Sequence, residues 1–261
     1  MSLLIVGYGK MGSALANRWA SNTEFGISAI DPYADAESVP NNVRLHTSLE
    51  ELAGQSFGNV VIAAKPQVIP KLLPTYLPFL ESGGCLFSIA AGFSIQSLEK
   101  IAGHVPIVRM MPNLPAEIGK GVTAFYPNEY TDQKHITMAK TLTSVTGFGL
   151  QVKSEEELDK VTAVAGSGTG YGFEIIRSWI EATTQLGMNP TVARELVLAT
   201  MEGAVELAKR KSDSLASLRD SVTSPQGTTA AGLAVLRENN AMETLMTTTV
   251  NAALQRAVEL R

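Results

Sequence analysis

Three glycines near the start of the chain restrict its fold more than any other feature. They have the spacing G-x-G-x-x-G, directly after the apolar run LLIV and before a segment with helical periodicity. The first glycine permits a tight turn, the second lets the backbone approach a pyrophosphate, and the third lets the helix pack on the strand. The N-terminal N–H groups of the helix then attract phosphate, although a glycine-rich turn without a ligand is the alternative. The segment therefore predicts a dinucleotide site at Gly7, Tyr8, Gly9, Lys10, Met11 and Gly12.

An acidic residue at the end of the second apolar run bears on which dinucleotide binds. Asp31 follows the run GISAI about 20 residues after Gly12, where a carboxylate accepts hydrogen bonds from a ribose 2′-hydroxyl and repels a 2′-phosphate. The following segment DPYADAE contains no arginine or lysine to bind that phosphate. We therefore expect NAD(P)H, with NADH favoured over NADPH. A simple turn or cap role for Asp31 before Pro32 is the alternative.

Two further segments follow apolar runs and should lie at the same edge of a sheet. Ligands of open α/β sheets bind beyond the carboxyl ends of the strands, and small residues there let a dinucleotide approach the backbone. Lys65 is either a phosphate contact or a solvated loop charge. The predicted cofactor-binding residues in the segments AAKPQ and IAAGF are Ala63, Ala64, Lys65, Pro66, Ala90 and Ala91.

The order of apolar runs and helical stretches predicts two domains. Short apolar runs at 3–6, 27–30, 59–64, 85–90 and 106–111 alternate with helical stretches, which is typical of strands covered on both faces. This order predicts a doubly wound, mainly parallel Rossmann-type α/β domain over residues 1–153. From residue 154 onward the periodicity is helical, which predicts an all-α domain over residues 154–261.

Two details of the helical half lead to further predictions. Ser154, followed three residues later by Glu157, has the pattern of a capping box that starts a helix. The stretch PTVARELVLATMEGAVELAKR is apolar around much of its circumference, as Leu196 and Val205 illustrate. The extra apolar surface predicts burial against a second subunit, so we expect at least a dimer through this domain. Central burial within one subunit is the alternative.

Composition excludes several classes of partner. The net charge of −4 gives no electrostatic footprint for nucleic acid or an anionic membrane. The lone cysteine, Cys85, lies in the apolar run CLFSIAA, which predicts a buried thiol in a reducing compartment. The three histidines, His46, His104 and His135, lack ligand spacing, so we predict no metal site. The chain shows neither a signal peptide nor a run of about 20 apolar residues, so we expect a cytoplasmic protein.

Five segments together resemble the pyrroline-5-carboxylate reductase family, in order and over essentially the whole chain. They are VGYGKMG, AAKPQ, MPNLPAEIGKG, AGSGTGYGFEII and DSVTSPQGTTAAGL. The resemblance implies a Rossmann domain, a helical domain that interlocks with its partner in a dimer, and reduction of 1-pyrroline-5-carboxylate to L-proline with NAD(P)H, the last step of proline biosynthesis. The chain departs from the family at Leu114, at Thr169 and Gly170, and at Gln226, which replaces a glycine. The last two departures would reshape the substrate pocket. The resemblance therefore supports the type of reaction more strongly than the identity of the substrate.

The segment SPQGTT is the predicted substrate site. If it opens the helix TAAGLAVLRE, the amides of Gly227, Thr228 and Thr229 form an anion site for the substrate carboxylate. The resemblance places the Thr229 hydroxyl at the substrate nitrogen, which makes Thr229 the predicted catalytic residue. Ser224 or Thr228 is expected to cap the helix or to contact substrate, and an ordinary N-cap after a proline turn is the alternative. Because the cofactor and substrate segments lie in different predicted domains, we expect the active site where the helical domain meets the nicotinamide end of the sheet.

Two other functions compete with this interpretation. A related imine or β-hydroxyacid reductase would use the same two-domain plan, but a β-hydroxyacid dehydrogenase should carry a lysine base on the helix after AGSGTGYG. That helix offers Glu174 and Arg177 and no lysine. A non-catalytic dinucleotide sensor would need no substrate anchor, so the segment from Gly227 to Thr229 argues against it.

Overall fold

The computed structural model describes residues 2–35, 37 and 39–261, and they form two compact units. The first unit contains the described residues up to Thr169 together with Ala253–Arg261, and the second contains Gly170–Ala252. The predicted domain boundary after residue 153 stays a prediction. None of the helices in the described part of the chain combines the length and hydropathy of a membrane span.

An eight-stranded sheet forms the centre of the first unit, in the order β3-β2-β1-β4-β5-β6-β7-β8. The strands are β1 (Ser2–Val6), β2 (Gly26–Ile30), β3 (Val43–His46), β4 (Phe57–Ile62), β5 (Leu80–Ser88), β6 (Ile107–Met111), β7 (Gly121–Pro127) and β8 (Gly147–Gln151). Only the β6–β7 pair is antiparallel, so the predicted mainly parallel α/β domain is confirmed. The chain order reverses between β1 and β4, and such a switch point is where open α/β sheets bind ligands.

Helices cover both faces of this sheet and explain its apolar strands. They are α1 (Lys10–Asn22), α2 (Ile69–Tyr76), α3 (Ile95–Ala102), α4 (Gln133–Thr146) and α5 (Glu155–Val161). Alternate residues of β1 enter different cores: Leu3 lies in a cluster with Trp19 of α1, and Leu4 lies in a cluster with Leu73 of α2. Trp19 Nε1 also donates to the Leu142 carbonyl of α4 at 2.9 Å. Because neither face of β1 meets water, its sequence is continuously apolar.

Three details differ from the sequence-based expectations. The predicted run 59–64 leaves the sheet after Ile62, and the run 85–90 belongs to a strand that begins at Leu80 and ends at Ser88. Ser154 Oγ accepts from the Glu157 N–H at 3.3 Å, but the Glu157 carboxylate accepts from the Lys153 N–H at 2.8 Å. The predicted capping box is therefore only half formed, because the glutamate binds the amide one residue before the cap.

The second unit is built from helices that leave much apolar surface exposed. The helices of the C-terminal half are α6 (Gly168–Gln185), α7 (Pro190–Arg210), α8 (Leu215–Ser221), α9 (Thr228–Arg237) and α10 (Ala241–Leu260). Only Ala193 and Val197 of α7 are buried among the described residues of these five helices. Leu196 and Val205 are each 48% exposed, so central burial within one subunit is not observed at these positions. Several large apolar side chains exposed on one helix are typical of an interface.

Candidate active site

Each of the three glycines in the passage from β1 into the first turn of α1 has its own structural setting. Gly7 has a φ of +102°, and a β-carbon there would lie 2.7 Å from the Ala63 carbonyl oxygen. A β-carbon on Gly12 would collide with the Gly7 carbonyl oxygen, so this glycine permits the packing of α1 on the turn. A β-carbon on Gly9 would meet nothing within 4 Å among the described atoms. The open face at Gly9 is where a pyrophosphate could approach the backbone.

The first turn of α1 offers backbone donors rather than side chains. Its first helical bond runs from the Ser13 N–H to the Gly9 carbonyl at 2.8 Å, so the amides of Lys10, Met11 and Gly12 precede it. Tyr8 is nearly buried, and its hydroxyl donates to Asn17 Oδ1. Burial raises the pKa of the Tyr8 hydroxyl, which stays protonated. The Tyr8 side chain is therefore part of the core, although Tyr8 is a predicted cofactor residue.

Asp31 binds the glycine-rich turn from the end of β2. Its Oδ2 accepts from the Tyr8 N–H at 2.8 Å, and its Oδ1 accepts from the Tyr33 N–H at 2.9 Å. The second bond is the turn role that the sequence left open as an alternative. Asp31 also lines a groove of about 540 Å³ together with Gly7, Gly9, Ala63, Ala64 and Lys65. The turn role is therefore observed, and the cofactor role of Asp31 stays a prediction.

The far wall of this groove is apolar and was not predicted from the sequence. Val68, Leu72 and Tyr76 line it at intervals of four residues, which places them on one side of the helical segment after β4. Burial, and then the charge of Asp31, raise the pKa of the Tyr76 hydroxyl. The signal that could have revealed the wall is this four-residue spacing directly after AAKPQ. The groove thus combines an apolar wall with a carboxylate.

The two predicted loop segments follow neighbouring strands at the same edge of the sheet. The Ala63 N–H donates to the Val6 carbonyl at 2.8 Å, which holds the segment after β4 beside the glycine-rich turn. Lys65 is exposed and is the only basic side chain lining the groove among the residues that the structure describes. Ala90 is buried after β5, and its N–H donates to Ser88 Oγ at 3.4 Å. Ala91 follows it and is exposed, and neither of these two alanines nor Pro66 lines the groove.

The predicted substrate segment opens α9, but its hydrogen bonds differ from the prediction. The Gly227 N–H donates to the Ser224 carbonyl at 3.0 Å, so this amide is not free for an anion, contrary to the prediction. The first helical bond runs from the Ala231 N–H to the Gly227 carbonyl at 3.1 Å. The amides that precede it in the helix belong to Thr228, Thr229 and Ala230. The amides that could bind an anion are therefore those of residues 228–230, one residue later than predicted, and the anion site itself stays a prediction.

The turn before α9 also corrects the predicted cap. Gly227 is the N-cap residue, and no side chain in the described part of the chain caps this helix end, so neither Ser224 nor Thr228 does so. A β-carbon on Gly227 would collide with Ser224 Oγ, so a larger residue here would require the serine side chain to rotate. Gln226 has a φ of +59°, in the left-handed region that favours glycine. The departure at Gln226 therefore preserves the backbone conformation of a glycine.

Other reactive groups in the described residues do not form a second centre. Cys85 is buried, and this burial raises the pKa of its thiol, so the side chain is not a thiolate at neutral pH. Within residues 2–35, 37 and 39–261, no group of three or more His, Cys, Asp or Glu side chains is placed to hold a metal ion. The candidate chemistry therefore lies in the groove at β1 and in the first turn of α9.

The glycine-rich turn at the switch point, the groove beside it and the acid directly after β2 define a Rossmann-type dinucleotide-binding protein. Residues 155–260 match the family described as pyrroline-5-carboxylate reductase dimerisation. The chain is 37% identical to the pyrroline-5-carboxylate reductase of Pseudomonas aeruginosa over 77% of this chain and 74% of that protein. It is 32% identical to the Synechocystis enzyme over 100% of this chain and 98% of that protein. The chain belongs to the pyrroline-5-carboxylate reductase family.

A solved structure extends this likeness to three dimensions. Plasmodium falciparum pyrroline carboxylate reductase, determined with NADP bound, superposes with a TM-score of 0.89 at 29% identity. The superposition covers 100% of this chain and 98% of that one. The predicted fold class, an α/β domain followed by helices, is confirmed by this likeness.

Proposed function

We propose that this protein transfers a hydride from NAD(P)H to the imine carbon of 1-pyrroline-5-carboxylate and so forms L-proline. Family membership supports the reaction. The observation that carries it in this chain is that a helix N-terminus with free amides opens at Thr228–Thr229, in a protein whose sheet holds a dinucleotide groove. A cofactor sensor would have no use for such a substrate anchor.

The proposed reaction requires little proton transfer by side chains of the protein. A protonated cyclic imine is already electrophilic, and the reduced nicotinamide, when bound, supplies the hydride. The amides of Thr228, Thr229 and Ala230 hold the substrate carboxylate at the positive end of α9. The Thr229 hydroxyl accepts a hydrogen bond from the iminium N–H and keeps a hydrogen-bonding role as that nitrogen becomes an amine. Orienting the imine carbon toward the hydride is the remaining task of the site.

The residues of the groove fit NAD(P)H, and Asp31 supports NADH as the preferred form. The Asp31 carboxylate is positioned to accept from a ribose 2′-hydroxyl and would repel a 2′-phosphate. Lys65 is the one cation lining the described part of the groove. A second basic residue, which a phosphate site would favour, does not line it in the residues described. The proposal for NADH therefore rests on the charges that line this groove, one carboxylate at Asp31 and one cation at Lys65.

We also propose that the active protein is at least a dimer through its helical half. Two observations support this: the match of residues 155–260 to a family described as dimerisation, and the exposed apolar side chains of α7. Turnover requires the anchor on α9 and the nicotinamide to meet around one substrate, and the family resemblance implies that a partner subunit completes this arrangement. A cytoplasmic location stays a prediction.

One assay tests the reaction and the role of Thr229 together. Oxidation of NADH and of NADPH is followed with 1-pyrroline-5-carboxylate as substrate, for the wild type and for Thr229→Ala and Thr229→Ser. Loss of one hydrogen bond to a charged group costs about 1.5–3 kcal/mol, so kcat/KM for Thr229→Ala should fall about 10- to 100-fold. Thr229→Ser keeps the hydroxyl and should stay close to wild type.

A threonine elsewhere provides the matched control. Thr137 lies on α4, is exposed and donates to the Gln133 carbonyl at 2.8 Å, so Thr137→Ala removes a similar hydroxyl from another helix. Its activity should equal that of the wild type. Absence of turnover by the wild type with either cofactor would contradict the proposed reaction, and full activity of Thr229→Ala would contradict the assigned role.

A further inference from the structure

Leu260, near the end of α10, lies against a loop at the carboxyl edge of the sheet. Loop 89–94 joins β5 to α3 and carries Ala90 and Ala91. Gly92 in this loop has a φ of +71°, and a β-carbon there would lie 2.8 Å from the Leu260 Cβ. Leu260 ends α10, within the part of α10 that belongs to the same compact unit as the sheet. The loop can approach the C-terminus only because residue 92 has no side chain.

Arg261 fixes this C-terminal end by ion pairs to α5. Its Nη1 lies 3.2 Å from Glu156 Oε1 and 3.3 Å from Asp159 Oδ2. The Asp159 side chain is 2% exposed, and its other oxygen lies 3.8 Å from Arg109 Nη2. A buried carboxylate is strongly destabilised when a cationic partner is removed. Arg261 is therefore held in place by a buried charge as well as by an exposed one.

The same helix holds the far end of loop 89–94. Glu155 Oε1 accepts from the Ile95 N–H at 3.1 Å, where the loop enters α3. It also binds Nη1 of the buried Arg109 at 2.6 Å. Arg109 lies on β6 in register with Ser88, whose Oγ accepts from the Ala90 N–H. The loop is thus hydrogen-bonded at its start to Ser88 and at its end to Glu155, and Gly92 in its middle lies close to Leu260.

The strand order indicates which part of a dinucleotide would reach this loop. On the proposed function, the adenosine ribose lies at Asp31 after β2 and the pyrophosphate lies at the turn after β1. β4 and β5 follow on the opposite side of β1 from β2. The rest of the cofactor must extend in that direction, so its nicotinamide half lies toward loop 89–94.

We propose that Leu260 and Arg261 form a C-terminal latch, which positions loop 89–94 for the nicotinamide half of the cofactor. The latch residues act through Gly92 and Asp159 and need not touch the cofactor. They are positioning residues, and the inference rests on the proposed use of NAD(P)H. It predicts that the C-terminus affects binding of the nicotinamide half and leaves binding of the adenosine half unchanged.

Binding measurements with NADH and with ADP-ribose, which lacks the nicotinamide, separate the two halves. Arg261→Ala should weaken NADH binding about tenfold, equivalent to about 1.4 kcal/mol, and leave the ADP-ribose affinity within about twofold of wild type. Arg261→Lys keeps a cation near Asp159 and should recover most of the NADH affinity. Arg256→Ala is the matched control, because Arg256 is exposed on α10 and pairs with Glu259 at 3.0 Å. It should bind both ligands like the wild type.

Glu156→Gln tests the latch from α5 if Arg261→Ala does not fold. It removes the exposed ionic partner of Arg261, so a selective loss of NADH affinity smaller than that of Arg261→Ala is expected. Equal losses for NADH and ADP-ribose would show a merely structural role and overturn the latch. A wild-type enzyme that turns over 1-pyrroline-5-carboxylate, with variants of unchanged NADH affinity, would overturn the latch alone. A wild type that binds neither ligand would overturn the proposed function and the latch together.

Discussion

Replacing Asp31 by asparagine tests the cofactor preference with little change in shape. The carboxylate accepts from the Tyr8 and Tyr33 amides, so Asp31→Ala would leave two backbone donors without this partner. Asparagine keeps one carbonyl oxygen as an acceptor and removes the negative charge. Loss of the other acceptor costs about 1–3 kcal/mol of stability, which a thermal unfolding curve will show. Asp31→Asn is therefore the more informative change.

The size of the effect follows from two contributions. A 2′-phosphate carries about −1.5 to −2 charges, and two unit charges 4 Å apart repel by about 1 kcal/mol in water and more in a groove of lower dielectric constant. Removing the Asp31 charge should thus favour NADPH by about 2 kcal/mol. Replacing a charged acceptor of the ribose hydroxyl by a neutral one should weaken NADH by about 1 kcal/mol. Together these contributions change the NADH to NADPH preference about a hundredfold.

The assay is the ratio of kcat/KM for NADH to kcat/KM for NADPH at a fixed, saturating concentration of 1-pyrroline-5-carboxylate. Asp35→Asn is the matched control, because Asp35 is acidic and lies in the same connection but does not line the groove. It should leave the ratio near the wild-type value. An unchanged ratio for a folded Asp31→Asn variant would refute the electrostatic argument. An equal loss with both cofactors would show that Asp31 serves only the glycine-rich turn.

Two further predictions concern the helical half. Gln226→Gly removes the cost of a left-handed conformation, about 1 kcal/mol, so it should raise the unfolding midpoint by about 2–4 °C. Gln226→Ala should not raise it. Equal midpoints for Gln226→Gly and the wild type in calorimetry would argue against strain at this residue. Light scattering should give at least twice the mass of one chain, and Leu196→Glu on α7 should lower that mass while Glu195→Gln leaves it unchanged. A monomeric wild type would contradict the proposed dimer.

The strands that sequence patterns reveal are the ones buried on both faces. β1, β2 and β4 are nearly continuous apolar runs, because helices cover them on both sides. β8 lies at the edge of the sheet, and its last four residues, FGLQ, are all exposed. Because β8 contains two glycines and no apolar run, neither the periodicity nor the hydropathy of its sequence predicts a strand. β3, at the other edge, is four residues long and carries the exposed Arg44. Edge strands are thus the part of this sheet that depends on tertiary pairing.

The cofactor half of the site was easier to predict than the substrate half. Spacing alone predicts Gly7, Gly9 and Gly12, and the close contacts of one short turn explain the first and the third of these glycines. Which amides are free at α9 depends instead on whether the preceding turn closes with its own hydrogen bond. The bond from the Gly227 N–H to the Ser224 carbonyl closes that turn, and it moves the free donors to Thr228–Ala230. Whether the Gly227 N–H donates to the Ser224 carbonyl or to a bound anion cannot be predicted from the residue types in this segment.

Gln226 shows that the backbone of this turn matters more than its side chain. A non-glycine residue in the left-handed region is uncommon and costs free energy, so its persistence needs a compensating gain. The conformation at residue 226 lets the Gly227 N–H reach the Ser224 carbonyl and sets the direction in which α9 begins. If the backbone at residue 226 relaxed to an extended conformation, the amides of Thr228 and Thr229 would turn away from their present direction. Retention of the strained conformation is therefore what we expect if these amides bind the substrate carboxylate.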